Sequence, residues 1–242
     1  MEFVFVVLFG IALGSFGNVL IFRIPKNISI VMPSSFCPKC KKSLQWRDKI
    51  PIFSYVFLRG KSRCCGNWIP FWYCLSEILG GIFAFFSFYY YGIFGIVCFL
   101  LLLNFYVLSV IDWQFFEIPD SLNFLNLAFA VVFGGLFGEA KWLLDSWVES
   151  FVCAFLFMGI ASFLRLFVGS IFKKEVLGEG DIIVFGALGA SLGIFGGSLA
   201  TLFASGYALV FMLFARKSLV PFVPFLFIGF LSVIGLMSLK FL

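Results

Sequence analysis

Long apolar runs separated by short polar stretches fill most of the chain, and the runs are longer than the helices of a soluble core. A run of roughly 17 to 25 residues can cross a bilayer as a helix. Runs of that order occupy 3–22, 71–90, 93–111, 121–138, 147–168, 182–197, 198–215 and 219–239. The pattern predicts an all-α polytopic membrane protein with about eight transmembrane helices, the sixth and seventh divided only at Gly196-Gly197. The start, Met1-Glu2-Phe3-Val4, has no basic region. Gly14, Ser15 and Gly17 interrupt the first run without a small-residue cleavage site at its end, so this run is expected to stay as a helix.

The one sizeable polar stretch, 24–70, carries Pro25, Pro33, Pro38, Pro51 and Pro70, a density that predicts an irregular, compact module rather than another helix. Three parts follow: a first helix (1–23), the loop module (24–70) and a helical core (71–242).

Composition agrees with the pattern. Of 242 residues, 62% are hydrophobic and 12% charged, whereas soluble domains are about a quarter charged. Charge placement sets the expected orientation. Ten of the 17 basic residues lie between Arg23 and Arg63, and Arg165, Lys173, Lys174, Arg216 and Lys217 fall at turns that an eight-helix path puts on the same side. Only Lys141 and Lys240 fall opposite. Basic residues favour the cytoplasm, so the loop is expected there and both termini outside. This topology accounts for the net charge of +5 without a nucleic-acid partner.

Within the loop, Cys37-Pro38-Lys39-Cys40 has the spacing that lets two thiolates meet one tetrahedral zinc, and Cys64 and Cys65 follow at a distance suited to a zinc ribbon. The second half is imperfect, because Ser62 stands where a Cys-x2-Cys pair ending at Cys65 would begin. Neighbouring Cys64 can serve only if the turn aims two adjacent side chains at one ion. Zinc, a metal-free fold held by packing and a redox pair are all open at this point; a reducing cytoplasm disfavours a structural disulfide. Cys74, Cys98 and Cys153 lie in apolar helices and read as small buried hydrophobes.

The candidate chemistry rests on Asp112 and Asp181. The chain has no histidine, so two convergent carboxylates are its equipment for acid/base work. Both fall where an apolar run meets a polar turn, on the side assigned to the cytoplasm. Asp112 precedes Ile118-Pro119-Asp120, and Asp181 follows Gly178-Glu179-Gly180. Each has a plainer reading, Asp112 as an interfacial charge and Asp181 as a helix cap. Asp112 is expected at a helix C-terminus, where the dipole favours the protonated acid, and Asp181 at an N-terminus, which favours the anion. Glu117, Asp120 and Glu179 are nearby candidates for positioning a basic substrate segment, and read equally well as solvated interfacial charges.

Asp112 with Ile118-Pro119-Asp120, and later Gly178-x-Gly180-Asp181, resembles the aspartyl prepilin peptidases of bacterial type IV pilus and type II secretion systems. The resemblance runs nearly end to end. It includes Gly14-Ser15-Phe16-x-Asn18-Val19 with Arg23, Cys37-Pro38-x-Cys40, Ile50-Pro51-x-x-Ser54-Tyr55, Arg59-Gly60-Lys61, Glu77 and Pro221-Phe222-x-Pro224-Phe225.

The resemblance implies an intramembrane aspartyl endopeptidase of the bacterial inner membrane, with Asp112 and Asp181 as catalytic pair and 71–242 as peptidase core. Such an enzyme removes the short basic leader of prepilins or pseudopilins at the cytoplasmic face, after a glycine and before a long apolar helix. Many members also methylate the new N-terminus with S-adenosylmethionine. The expected partners are therefore prepilin substrates and membrane lipid. Two departures stand out. Ile183 replaces a lysine usual two residues after the second aspartate, and Ser62 breaks the second Cys-x2-Cys, which bears on zinc and methyl transfer more than on proteolysis.

The alternative is a transporter or channel whose carboxylates relay protons or bind cations. That reading wants acids near mid-membrane, where only Glu77 lies well inside a run, and no inverted repeat is apparent.

Overall fold

The computed structural model describes residues 2–32, 34–138, 145–173, 177–216 and 220–239. Pro33, Lys141, Lys174, Lys217 and Lys240, all used in the sequence reading, lie outside the described residues. Among the described residues the regular structure is helical: α1 (Glu2–Arg23), α2 (Phe53–Phe57), α3 (Phe71–Tyr91), α4 (Gly95–Phe115), α5 (Asp120–Phe137), α6 (Ser146–Phe172), α7 (Glu179–Ala215) and α8 (Val223–Leu239). Two isolated antiparallel bridges in the loop, Phe36–Ser43 and Lys61–Trp68, are the exceptions.

Among the described residues, five helical stretches are long and apolar enough to cross a membrane: Glu2–Arg23, Phe71–Phe115, Asp120–Phe137, Ser146–Ile171 and Glu179–Ala215. Two of these are interrupted. Phe71–Phe115 is α3 and α4 joined through a tight turn at Gly92–Phe94, and α7 breaks at Gly193, whose φ of +68° is left-handed. The break therefore falls a turn before the expected Gly196-Gly197. Gly196 and Gly197 stay within the helix, and the Phe157 ring packs so closely on Gly197 that a Cβ there would lie 2.8 Å from it.

The chain divides into two compact units, Met1–Phe99 and Leu100–Leu242. In the first, α1 packs against α3 through glycines. A Cβ on Gly80 would come within 2.9 Å of the Gly14 Cα, and one on Gly14 within 3.1 Å of the Glu77 Cα. Lipid tails are as apolar as leucine, so helices in hydrocarbon gain most from backbones that approach closely, which small residues permit. The loop between α1 and α3 is irregular, as its prolines predict, with α2 and one short 3-10 turn (Trp46–Lys49) as its helical pieces.

In the second unit, polar side chains join apolar helices. Asn104 of α4 donates to the Leu122 carbonyl of α5 (2.8 Å), and Ser150 of α6 donates to the Ala190 carbonyl of α7 (2.8 Å). Phe105 of α4 meets Phe227 and Phe230 of α8 at ring-centroid distances of 5.3 and 5.6 Å. The outward side of α6 is apolar, with Phe155, Phe163 and Leu166 exposed. A bilayer covers such a face, because a spanning helix satisfies its own backbone and needs only apolar contact outside.

The close α1–α3 approach makes Gly80 an intolerant position. Gly80→Val should destabilise the detergent-solubilised protein by at least about 1–3 kcal/mol, the usual range for overpacking. Gly159→Ala, where an added Cβ meets nothing within 4 Å, should leave the thermal unfolding midpoint unchanged or slightly raised.

Candidate functional site

Asp112 lies in the last turn of α4, which continues to Phe115 instead of ending before the aspartate as the sequence pattern predicts. Phe116 then closes the helix: its N–H donates to the Asp112 carbonyl (2.9 Å), and its φ of +56° is uncommon for a bulky residue. The Asp112 side chain is buried, 6% exposed. Its Oδ2 accepts a hydrogen bond from the Val223 N–H (3.0 Å) at the start of α8. The first N–H groups of a helix have no partner inside it and carry its positive end. The Pro221-Phe222-x-Pro224-Phe225 stretch thus starts α8 where its free amide meets Asp112.

Asp181 is the third residue of α7 and is also buried, 9% exposed. Its Oδ2 reaches back to accept from the Gly178 N–H (3.0 Å), which is the half of a capping box that a glycine N-cap permits. Aromatic packing ties the surroundings of the two carboxylates together, with Phe185, one turn after Asp181, 6.0 Å from Phe222 between ring centroids.

Both carboxylates therefore meet a helix N-terminus, Asp181 that of its own helix and Asp112 that of α8. The expected contrast, an acid at a C-terminus and an anion at an N-terminus, rests on sequence position alone and is absent from the side-chain environments.

The two aspartate motifs also lock onto each other. Gly180 sits against Ile118: a Cβ on Gly180 would fall 2.7 Å from the Ile118 Cβ. Asn123, one turn into α5 and fully buried, donates its Nδ2–H to the Gly180 carbonyl (2.8 Å). Sequence reasoning missed Asn123 and the Val223 amide. For Asn123 a signal existed, because amide side chains inside apolar helices are costly unless they bond across helices. For Val223 there was none, since a backbone amide leaves no mark in a sequence. Glu117 and Asp120 are exposed, and the largely exposed Glu179 pairs with Arg165 of α6 (3.0 Å).

In the loop, the structure brings Cys37, Cys40, Cys64 and Cys65 together, all four sulfurs within 4.8 Å of one another. They sit on two turns of matching construction. In the first, Cys37 N–H donates to Lys42 O (2.9 Å) and Lys41 N–H to Cys37 O (2.8 Å), with Lys41 at φ +57°. In the second, Ser62 N–H donates to Asn67 O (2.8 Å) and Gly66 N–H to Ser62 O (2.8 Å), with Gly66 at φ +65°. Ser62 occupies the place of Cys37, and Cys65 that of Cys40. Cys64 fills the place of Lys39 and turns its sulfur inward, 3.2 Å from that of Cys40.

Four sulfurs at this spacing suit a tetrahedral dication of the zinc type. Their electrostatics agree. Backbone N–H groups of Cys40 and Lys39 pull the Cys37 thiol down to about 6, and the Ser62 hydroxyl lowers that of Cys65. Cys64 is pushed up to about 12, chiefly by its hydrogen bond to Cys40, as expected when several thiols share one site without a cation. Cys74, Cys98 and Cys153 are buried in helices.

Fold and site define an all-helical membrane protein with a pair of buried, amide-held aspartates in one unit and a four-cysteine cluster in the other. Residues 96–234 match the model of the type IV leader peptidase family, and residues 8–91 match that of the bacterial peptidase A24 N-terminal domain. The chain belongs to the type IV leader peptidase family. A Klebsiella pneumoniae protein named prepilin leader peptidase/N-methyltransferase is 35% identical over 78% of this chain and 84% of its own length. A Vibrio cholerae protein of the same name is 32% identical over 96% of this chain and 97% of its own. One from Bacillus subtilis is 33% identical over 77% and 72%. No solved structure matches the chain. Membership in a peptidase family leaves the transporter reading without support.

The Gly180–Ile118 contact makes a specific coupling testable. Gly180→Ala should destabilise the protein by about 1–3 kcal/mol. In an Ile118→Ala background the same change should cost clearly less, because the space has been opened. Thermal unfolding of the two single variants and the double variant reads the coupling directly.

Proposed function

We propose that this chain removes the basic leader from type IV prepilins or pseudopilins by aspartyl chemistry, with Asp112 and Asp181 as the catalytic pair. The observation that carries the reading is the pair itself: two buried carboxylates, each held by a backbone N–H at a helix start, from two motifs that pack together at Ile118 and Gly180. Amide hydrolysis by two carboxylates needs one ionised, to take a proton from water, and one protonated, to polarise the scissile carbonyl. Helix position favours neither for either role, so the two act as a coupled pair whose protons belong to both. Basic residues concentrated in the loop favour cleavage at the cytoplasmic face of the inner membrane. The proposed division by role is a first helix (1–23), a cysteine-containing loop (24–70) and a peptidase core (71–242), whereas the two compact units divide between Phe99 and Leu100.

The names of the relatives support a second activity, methylation of the new N-terminal amine with S-adenosylmethionine. The four-cysteine cluster supports zinc held by Cys37, Cys40, Cys64 and Cys65. There it would supply a structural cross-link between the two turns.

Asp112→Asn or Asp181→Asn should lower leader cleavage by about 10²–10⁴-fold, the usual weight of a general acid or base, with membrane insertion intact. Asp120→Asn and Glu179→Gln should stay near wild type. Cleavage of a leader-bearing prepilin by protein purified in detergent is the assay, and near-normal turnover by either asparagine variant would sink the pair.

For the metal, the purified protein should carry stoichiometric zinc. Cys64→Ser should lose it readily to a chelator, and adding Ser62→Cys to that variant should restore retention. A zinc content indifferent to Cys64 would remove it from the ligand set. Loss of the site through Cys37→Ser/Cys40→Ser should impair methylation more than cleavage.

A further inference from the structure

The short helix of the loop, α2, is inside out for a protein in water. Its polar residues, Ser54 and Tyr55, line a cavity of about 710 Å³ that α1 and α3 also line, while Phe53, Val56 and Phe57 are exposed, Phe57 at 83%. The exposed three stand at i, i+3 and i+4, which is one face of a helix. A helix this short depends on burying its apolar face, so water is the wrong solvent for it.

The packing of α2 sets its depth. α3 has 21 residues, a rise of about 30 Å, which matches the hydrocarbon thickness of a bilayer. Aromatic residues mark both of its ends, Trp72-Tyr73 and Tyr89-Tyr90-Tyr91, as at the two interfaces of a spanning helix. The chain enters α2 beside the interior of that span. The Ile52 N–H donates to the buried Glu77 (2.6 Å), which stands about 9 Å beyond Phe71 along α3. Glu77 also accepts from the Ser15 hydroxyl of α1 (2.7 Å), so both spanning helices of this unit hold α2 at that level. The Tyr55 ring then meets that of Phe71, with 6.4 Å between centroids. α2 therefore lies against the outermost turns of α3, at the depth of about 5–10 Å to which interfacial helices sink.

Charge agrees with depth. Residues 24–70 hold nine basic side chains and one acid, Asp48, which pairs with Arg63 (2.9 Å). Two exposed tryptophans of the loop each carry a cation: Arg47 lies 5.2 Å from the Trp46 ring centroid and Lys61 4.9 Å from that of Trp68. An aromatic body with a cationic head suits the headgroup layer, and basic segments beside a membrane are drawn to anionic lipid. A protein partner would have to be apolar at bilayer depth and acidic just above it. The leaflet is both.

We propose that the loop module is seated in the bilayer, with Phe53, Val56 and Phe57 entering the acyl region of the loop-side leaflet and Trp46, Trp68 and their cations binding anionic phospholipid headgroups. α2 is then the wall between the cavity and the lipid, its polar side turned in and its apolar side out. This seating stands apart from the peptidase reading and from the metal.

The test uses the full-length protein in lipid nanodiscs, which leave both faces accessible. A photoreactive benzoylphenylalanine at position 57 should cross-link to acyl chains, seen as a phospholipid mass adduct. The same group in place of exposed Lys42, on the first cysteine turn, should give about tenfold fewer such adducts, because only the apolar face of an interfacial helix reaches the acyl boundary. Trypsin should nick the loop about tenfold more slowly in discs of phosphatidylcholine with phosphatidylglycerol than in phosphatidylcholine alone, the weight of one or two basic residues held at an anionic surface. Raised salt should narrow that difference. Phe53→Ser/Phe57→Ser should lose the protection while keeping the unfolding midpoint in detergent, since both side chains are exposed.

Adducts to protein in place of lipid, equal adduct yields at positions 57 and 42, nicking indifferent to phosphatidylglycerol, or full protection in the double serine variant would each overturn the seating.

Discussion

A carboxylate taken out of water must find hydrogen-bond donors or lose its charge, and this protein answers that demand with backbone amides. Asp112 is held by Val223, Asp181 by Gly178 and Glu77 by Ile52. Each donor stands at or just before the start of a helix, among the N–H groups that helical bonding leaves over. A backbone donor adds no positive charge and has no long side chain to immobilise. It suits a chain with no histidine and few cations outside its loop and turns. Each helix that supplies an amide is fixed in turn by the acid that accepts from it, so the placement of α8 depends on Asp112 and that of the Gly178 turn on Asp181.

The apolar pattern alone made most of the helices legible. The boundaries expected at 3–22, 71–90 and 121–138 fall within a few residues of α1, α3 and α5, because a run bounded by charge and proline has few other ways to satisfy its backbone in lipid. The loop was equally readable as irregular. The break in α7 was not. A sequence shows that Gly193, Gly196 and Gly197 are present but not which one a neighbour crowds: the Phe157 ring lies against Gly197, while Gly193 is in open space and takes the left-handed turn.

The candidate site was legible in its residues and illegible in its supports. Asp112 and Asp181 stood out because acids at the ends of apolar runs are expensive. Their donors did not, since one amide lies 111 residues from its acceptor and resembles any other. Position along a helix does not by itself set a side chain's environment. Asp112 does belong to the end of α4, but its side chain is answered by the beginning of α8. Asn123 sits between these cases, visible as an amide in an apolar run and meaningful only once its bond to Gly180 is seen.

The second cysteine turn keeps its backbone while moving its sulfur. Ser62 and Gly66 preserve the hydrogen bonds and the left-handed step of the first turn, yet the inward thiol comes from the third position of the loop instead of the first. Donor geometry and donor spacing are therefore separable properties of this scaffold. A search keyed to two copies of Cys-x2-Cys would discard this chain, whereas one keyed to where the turn points its side chains would keep it.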